Sequence, residues 1–339
     1  MHEPVTVALD AMSGDRGPEV IVAAALSMLA GDPKLRLILT GEPQTLERLL
    51  GDAHRRFGER LALEPAAQVV AMNEHPRDAL RKKKDSSMRV AINLVRDGRA
   101  GACVSAGNTG ALMAIARFVL RTLSGIDRPA IISAVPSLGG HTHMLDLGAS
   151  ADCTPEQLLQ FAVMGTVVAT DIHEIKQPRV GLLNIGAEDM KGNDRIREAA
   201  RLLNESKLNY IGFVEGNDIF QGTVDVVVTD GFTGNVSLKT MEGLAQLITT
   251  HMRTELSRNW RNRLLGLLSS PLLKSLKSTL DTRRYNGASL VGLNGIVIKS
   301  HGGADELAFQ NAIRTAVVEI DKGVPRQISH LLEENPPAI

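Results

Sequence analysis

"VVVTDGFTGNVSLKT", Val226 to Thr240, sets three valines ahead of a loop of small and polar residues and then a lysine. Apolar residues that run on without alternation mark a strand covered on both faces, the habit of parallel sheets flanked by helices. "ACVSAGNTGALMA", Ala102 to Ala114, repeats the arrangement: Cys103 and Val104 lead into Ser105, Gly107, Asn108, Thr109 and Gly110. Further apolar runs at Val5 to Asp10, Leu35 to Gly41, Gly101 to Gly107, Ala130 to Ser137, Arg179 to Gly186, Tyr210 to Gly216 and Val224 to Gly231 alternate with helical patterns. The chain therefore reads as an α/β protein with a mostly parallel sheet.

Helix signals agree. Pro18 suits a first turn and Gly31 a stop in "PEVIVAAALSMLAG", and Pro155 with Glu156 opens "PEQLLQFAVMGTVVAT". "GASLVGLNGIVIKSHG" reads as a β-hairpin turning at Asn294-Gly295, and a helix from about Ala304 to Lys322 closes at Gly323. No Pro- or Ser-rich linker and no low-complexity tract interrupts residues 1–339, so a single catalytic domain is expected.

The 38 basic and 38 acidic residues cancel, leaving no bulk field for nucleic acid. Two cysteines in apolar runs, Cys103 and Cys153, provide neither a disulfide framework nor a CxxC metal site, which points to a reducing cytoplasm. The opening residues lack a basic leader with an apolar stretch, and no run reaches the roughly 20 apolar residues of a spanning helix. His141 and His143, with no third ligand nearby, read as strand residues before a metal pair. The opening "LDAMSGDRGPE" lacks GxGxxG spacing and GK[ST], and no G-x-S-x-G elbow occurs.

In open parallel sheets ligands collect beyond the carboxyl ends of strands, where helix N-termini present free N–H groups. Both loops fall there. Ser105, Gly107, Asn108, Thr109 and Gly110 make one candidate anion cradle; Asp230, Gly231, Thr233, Gly234 and Asn235, with Lys239 on the following helix, make the other. The alternative is an ordinary pair of strand–helix turns capped by Ser, Thr and Asn. "NIGAEDMKGN" adds Asn184, Glu188, Lys191 and Asn193, Asp10 ends the first strand, and His301 follows the hairpin. "RKKKDSSM", 81–88, is either a solvated basic face or an anionic-partner contact ahead of a helix starting at Ser86 or Ser87.

From His251 to Asn286, eight Lys or Arg stand against two acidic residues, a local +6 that the rest of the chain balances. Apolar stripes with Trp260, Leu264, Leu268, Leu272 and Leu276, beside Arg261, Lys274 and Lys277, make residues 251–284 a basic amphipathic helical hairpin. It serves either helix packing, including a dimer interface, or contact with an anionic membrane.

The motifs "LDAMSGDRGPE", "SAGNTGALMA", "LDLGA", "LLNIGAEDMKGN", "VVVTDGFTGNVSLKTMEG" and "YNGASLVGLNGIVIKSHGGAD", in order from about Val5 to Ala316, resemble the PlsX-type phosphate acyltransferases of bacterial phospholipid synthesis. The resemblance implies a three-layer α/β/α fold, like those of phosphotransacetylases or of isocitrate and isopropylmalate dehydrogenases. It implies a homodimer peripherally bound to the inner face of the cell membrane, converting acyl-[acyl carrier protein] and inorganic phosphate to acyl phosphate, with the basic hairpin meeting the membrane or the acidic carrier protein. A glycerol-3-phosphate acyltransferase would act next. Ser13, Ser150 and Ala187 depart from the family's usual Gly, Asn and Glu, leaving Glu188 as the acid beside "NIG".

Phosphate is already anionic and attacks a thioester directly if held in line, so the expected chemistry requires neither cofactor nor metal. The reading assigns Asn108, Thr109 and Gly110 to phosphate, and Thr233, Gly234 and Asn235 to the acyl phosphate oxygens. Lys239 or Lys191 neutralises charge, and Asp230 or His301 manages a proton or orients a donor. A phosphotransacetylase using acyl-CoA and a non-catalytic membrane-surface adaptor are the alternatives.

Overall fold

In the computed structural model, which describes residues 4–189, 191–273 and 281–335, neighbouring residues of each central strand feed opposite cores. The strands are β1 (Val5–Asp10), β2 (Leu35–Gly41), β3 (Leu61–Pro65), β4 (Ala102–Ser105), β5 (Ala130–Ser137), β6 (Gly140–Leu145), β7 (Val180–Leu183), β8 (Tyr210–Val214), β9 (Val226–Val228), β10 (Ala288–Val291) and β11 (Ile296–Lys299). Ala8, Cys103, Val297, Leu290, Ile131, Met144 and Val227 join one core beneath the whole sheet. On the opposite face Val7, Val104 and Ile298 join a second core, and Ile132, Leu145 and Val226 a third. Alternation in a strand buried on both sides makes this inevitable, and it explains the unbroken apolar runs.

The sheet order is β3-β2-β1-β4-β11-β10-β5-β6-β9-β7-β8. β3, β2, β1, β4 and β11 are mutually parallel, as are β6, β9, β7 and β8. Antiparallel pairings of β11 with β10, β10 with β5 and β5 with β6 join the two groups and reverse their sense. Helices cover both faces, so the expected three-layer, mostly parallel architecture is the one found.

Two expectations change. The turn between β10 and β11 spans residues 292–295, with its positive φ at Gly292 (88°), not at Asn294-Gly295. Asn294 instead anchors the loop: its Nδ2 donates to the carbonyls of Leu120 and Thr122, and its N–H to that of Arg121. The helical hairpin does not begin near 251 either. Its first arm is the tail of a 27-residue helix, Gly231–Ser257, that starts at the second loop; Trp260–Leu268 follows.

Candidate active site

Three loops meet where β1, β4 and β11 end. Asp10 is buried and accepts from Ser105 Oγ at 2.6 Å, while Ser13 Oγ donates to Asp10 O (2.8 Å) and accepts from Ala106 N (3.0 Å). Asp15 N donates to Gly302 O at 2.8 Å, and Ser300 N to Ser105 O at 2.9 Å. Burial raises the Asp10 carboxyl above the ordinary carboxylate range, against hydrogen bonds from Ser105, Ser87 and Ser13.

Lys299, the last residue of β11, is 9% exposed. Its Nζ lies 3.4 Å from Ala106 O and also donates to Ser300 O. Burial first, then the Lys239 charge, lower this ammonium to about 8, against the pull of Asp15 and Asp10. Lys239 thus belongs to the same electrostatic neighbourhood, although it comes from the second loop's helix. Leu238 and Met241 of that helix pack on the core that also receives Ala111, Leu112 and Ile115 of helix Thr109–Leu120. Both loop-borne helices therefore cover one face of the sheet.

Asn108 caps helix Thr109–Leu120, its Oδ1 accepting from Ala111 N at 2.9 Å, and its Nδ2 donates to Met72 O (2.7 Å) and Glu74 O (3.1 Å). Its amide is thus committed to holding a neighbouring loop. Thr109 and Gly110 occupy the first helical turn, whose N–H groups have no partner within a helix. A Cβ on Gly110 would stand 2.8 Å from Pro76 Cγ, so close packing on that ring requires the glycine, while one on Gly107 would displace the Met88 Cε that lies 2.6 Å away.

The second loop is tied down more fully than the sequence suggested. Gly231 N donates to Ser150 O, Gly234 N to Asp230 O and Thr233 N to Asp230 Oδ1. Three of its amides are therefore spent within the fold. Asp230 Oδ2 accepts from Arg195 Nη2 at 2.8 Å, so Asp230 is a helix cap in an ion pair. Asn235 Nδ2 donates to Leu147 O at 3.1 Å. Beneath lies Asp146, whose carboxylate accepts from the backbone N–H groups of Ile131, Gly148, Ala149 and Ser150. Lys239 pairs with Glu242 at 2.7 Å on the exposed helix surface.

After β7, Glu188 and Lys191 both fold over Gly186, and the Asn184 amide packs on Gly192. Asn193 caps helix Asp194–Glu205 through Ile196 N, which aims Arg195 at Asp230. His301 Nδ1 accepts from Gly303 N at 3.0 Å, while the backbone N–H of His301 donates to Asn286 Oδ1 at 2.8 Å. Lys299, Arg195, Asp146, Ser13 and Asp15 were not among the sequence candidates. Ser13 and Asp15 lie in "LDAMSGDRGPE", Asp146 in "LDLGA" and Lys299 in the apolar strand "GIVIK", so their motifs were visible though their roles were not; Arg195 carries no such signal.

Buried Asp10 Oδ1 and Arg195 Nε lack a partner among the described residues. A carboxylate oxygen and a guanidinium N–H left so are costly unless substrate or water completes them. Cys103 is pushed well up by burial and then by Asp10, and Cys153 to about 11 by burial, so neither supplies a thiolate nucleophile. Among the described residues no cluster of His, Cys, Asp or Glu could hold a metal ion. Trp260, Leu264, Leu268 and Leu272 are exposed, and the Arg261 guanidinium sits 5.6 Å from the Trp260 ring centre. Lys274, Leu276 and Lys277 lie outside the described residues.

Comparison with known proteins decides the family. The model for a fatty acid synthesis protein matches residues 5–327. The phosphate acyltransferase of Alkalilimnicola ehrlichii is 59% identical over 98% of this chain and 97% of its own length. That of Methylococcus capsulatus is 57% identical over 97% of each. The chain belongs to the phosphate acyltransferase family. As such it is an acyl-transferring enzyme. Among solved structures, a phosphotransacetylase from Streptococcus pyogenes superposes with a TM-score of 0.63 at 17% identity, covering 93% of this chain and 94% of that one. One from Staphylococcus aureus gives 0.59 at 17%, over 94% and 93%. This chain shares their fold. No helix among its described residues is long and apolar enough to cross a membrane.

Proposed function

We propose that this enzyme takes its acyl group from acyl-[acyl carrier protein] and gives it to inorganic phosphate, forming acyl phosphate and free carrier thiol for phospholipid synthesis. The observation that supports this reading is the buried Lys299 ammonium with Lys239 close enough to depress it. A buried ammonium 3.4 Å from the Ala106 carbonyl, at the foot of the loop that leads into helix Thr109–Leu120 and without a counter-ion of its own, favours an anion beside it.

A phosphate oxygen attacks the thioester carbonyl carbon; the C–O bond forms and the C–S bond breaks. Sulfur leaves as thiolate, which is easy because the parent thiol has a pKa of about 8.5. Lys299, Lys239 and the first-turn amides of Thr109 and Gly110 hold phosphate in line. Asn108 positions the loop, the Thr233 hydroxyl faces the product oxygens, and His301 stands at the rim. Asp230 orients through Arg195. Mixing the enzyme with acyl-[acyl carrier protein] and phosphate should yield acyl phosphate by mass; release of carrier without it, or turnover with acyl-CoA only, would overturn the donor or the acceptor.

The exposed stripe of Phe232, Val236, Leu244, Leu247 and Ile248 on helix Gly231–Ser257 suits a second copy of the chain, giving a homodimer. The exposed leucines of the hairpin with its arginines suit an anionic membrane on the cytoplasmic side. Flotation with anionic vesicles should be lost in Leu268→Glu, Leu272→Glu; equal flotation would remove the hairpin as anchor. A glycerol-3-phosphate acyltransferase is the class of enzyme that would consume the product.

A further inference from the structure

Away from the polar corners, an open groove of about 690 Å³ is lined by Leu80, Arg89, Arg96, Arg117, Phe118 and Arg121 among others. It lies on helices Pro76–Lys82, Ser87–Arg96 and Thr109–Leu120. Arg96 is paired with Asp97 at 2.7 Å. Arg89, Arg117 and Arg121 have no carboxylate partner among the described residues.

Arginines at the ends of helices complement the helix dipole, which accounts for Arg96 and Arg117. Arg89 has no such excuse. It stands in the first turn of its helix, at the positive dipole end, and is partly desolvated with Arg96 as a like-charged neighbour. Its guanidinium lies 5.1 Å from the centre of the Phe118 ring, itself 63% exposed. Arg121 is held at φ 60°, a region where a non-glycine residue is strained. A neutral chain thus gathers four arginines on one shallow face around an exposed aromatic ring, one of them, Arg89, at the end of a helix dipole that disfavours it. A wide, open, cationic groove with an apolar centre matches an acidic protein surface.

The groove shares two of its helices with the surroundings of the candidate active site. Gly110 packs on Pro76, the first residue of one groove helix, and Asn108 holds the loop that precedes it. Helix Thr109–Leu120, 12 residues long, spans about 18 Å from the candidate phosphate loop to the groove's far end. A donor whose thioester sits on a flexible arm can dock at one end and react at the other.

We propose that this arginine groove docks the acidic protein that carries the thioester, and that the helical hairpin does not. The inference rests on the proposed carrier-bound donor. It is tested with the full-length enzyme bearing Arg117→Glu and Arg121→Glu, with Arg89→Gln alone as a milder variant and the exposed Arg326→Glu as a charge control. Two readings are taken: kcat and KM for acyl-[acyl carrier protein] relative to a small acyl thioester, and direct binding of unacylated carrier by fluorescence anisotropy at low and high salt. The carrier KM should rise about tenfold or more, carrier binding should weaken and lose part of its salt dependence, and Arg326→Glu should match wild type. Unchanged carrier binding in folded variants overturns the proposal, as does loss of anionic-vesicle flotation with carrier binding intact, which would make the groove a membrane face. If the wild type makes no acyl phosphate from either thioester, the proposed function falls, and the anisotropy titration still decides the groove.

Discussion

The Lys299 ammonium lies 3.4 Å from the carbonyl oxygen of Ala106, so the end of β11 places a positive charge at the foot of the loop that ends β4. A lysine buried this deeply would be replaced by an apolar residue if stability alone mattered, because removing the charge from water is costly. Its fold-level partners are two carbonyls, neither of them a counter-ion.

Lys299 should therefore trade stability against activity. Its folded pKa, about 8, lies below the ordinary 10.5, so the cost of charging it in the fold is present below pH 8 and fades as pH rises toward 10.5. Wild-type stability should gain up to about 1.4 kcal/mol per pH unit from this group across that window. Lys299→Met should lack the gain and lose phosphate-dependent turnover by about a hundredfold. Lys299→Arg, which stays charged, should retain some turnover and flatten the fall in kcat/KM expected above about pH 8; thermal melts and pH–rate profiles check both.

Asn108 acts through the loops that it joins. Asn108→Ala removes the cap on Ala111 N and the donors to Met72 O and Glu74 O, and should cost about 1–2 kcal/mol of stability with turnover down about tenfold or more. Asn108→Asp keeps the cap and should recover stability more than turnover. Equal kinetics in a folded Asn108→Ala would detach this loop from the site.

Gly234 tolerates no side chain. A Cβ there would stand closer to Asp146 O than any real contact allows, and Gly231 meets Ser150 O at 2.5 Å. Gly234→Ala should destabilise by about 2–3 kcal/mol or more, visible in urea titration, whereas Gly243→Ala, with open space around it, should stabilise its helix by about 1 kcal/mol.

Glu319 sets a slope of stability with pH. Its carboxyl is buried in the Glu306–Lys322 helix against β10, accepts from Ser289 Oγ at 3.0 Å, and is raised by burial from 4.5 to about 8. A folded pKa above the unfolded one means that stability is greatest below pH 4.5 and is lost as pH rises to about 8. Glu319→Gln should remove that loss, so its melting temperature should exceed wild type at pH 8 and converge with it near pH 5.

The fold was legible where local rules agree with burial. Thr154 and Gln157 form a reciprocal cap before Pro155–His173, and Gly323 (φ 63°) ends Glu306–Lys322 as its position suggested. β3, "LALEP", escaped notice because Glu64 and Pro65 dilute its pattern, and of β6, "GHTHML", only His141 and His143 read as strand residues, because its polar start hides the run as a whole. Both are identified only by pairing, β3 with β2 and β6 with β5 and β9. The candidate loops were visible for the same reason as the strands before them, but their partners were not. Arg195 and Asp230 meet from different elements, and Asp146 draws four backbone donors from β5 and its own loop. No one-dimensional pattern specifies such convergence.

The Gly231–Ser257 helix has a mechanical meaning. At about 1.5 Å per residue it is a strut of about 40 Å, one end wedged against Asp146 without clearance and the other ending beside Trp260 and the leucines that follow. Seated so tightly at its inner end, the rod fixes where its outer tip, and the Trp260–Leu268 helix after it, can stand relative to the Asp230 turn.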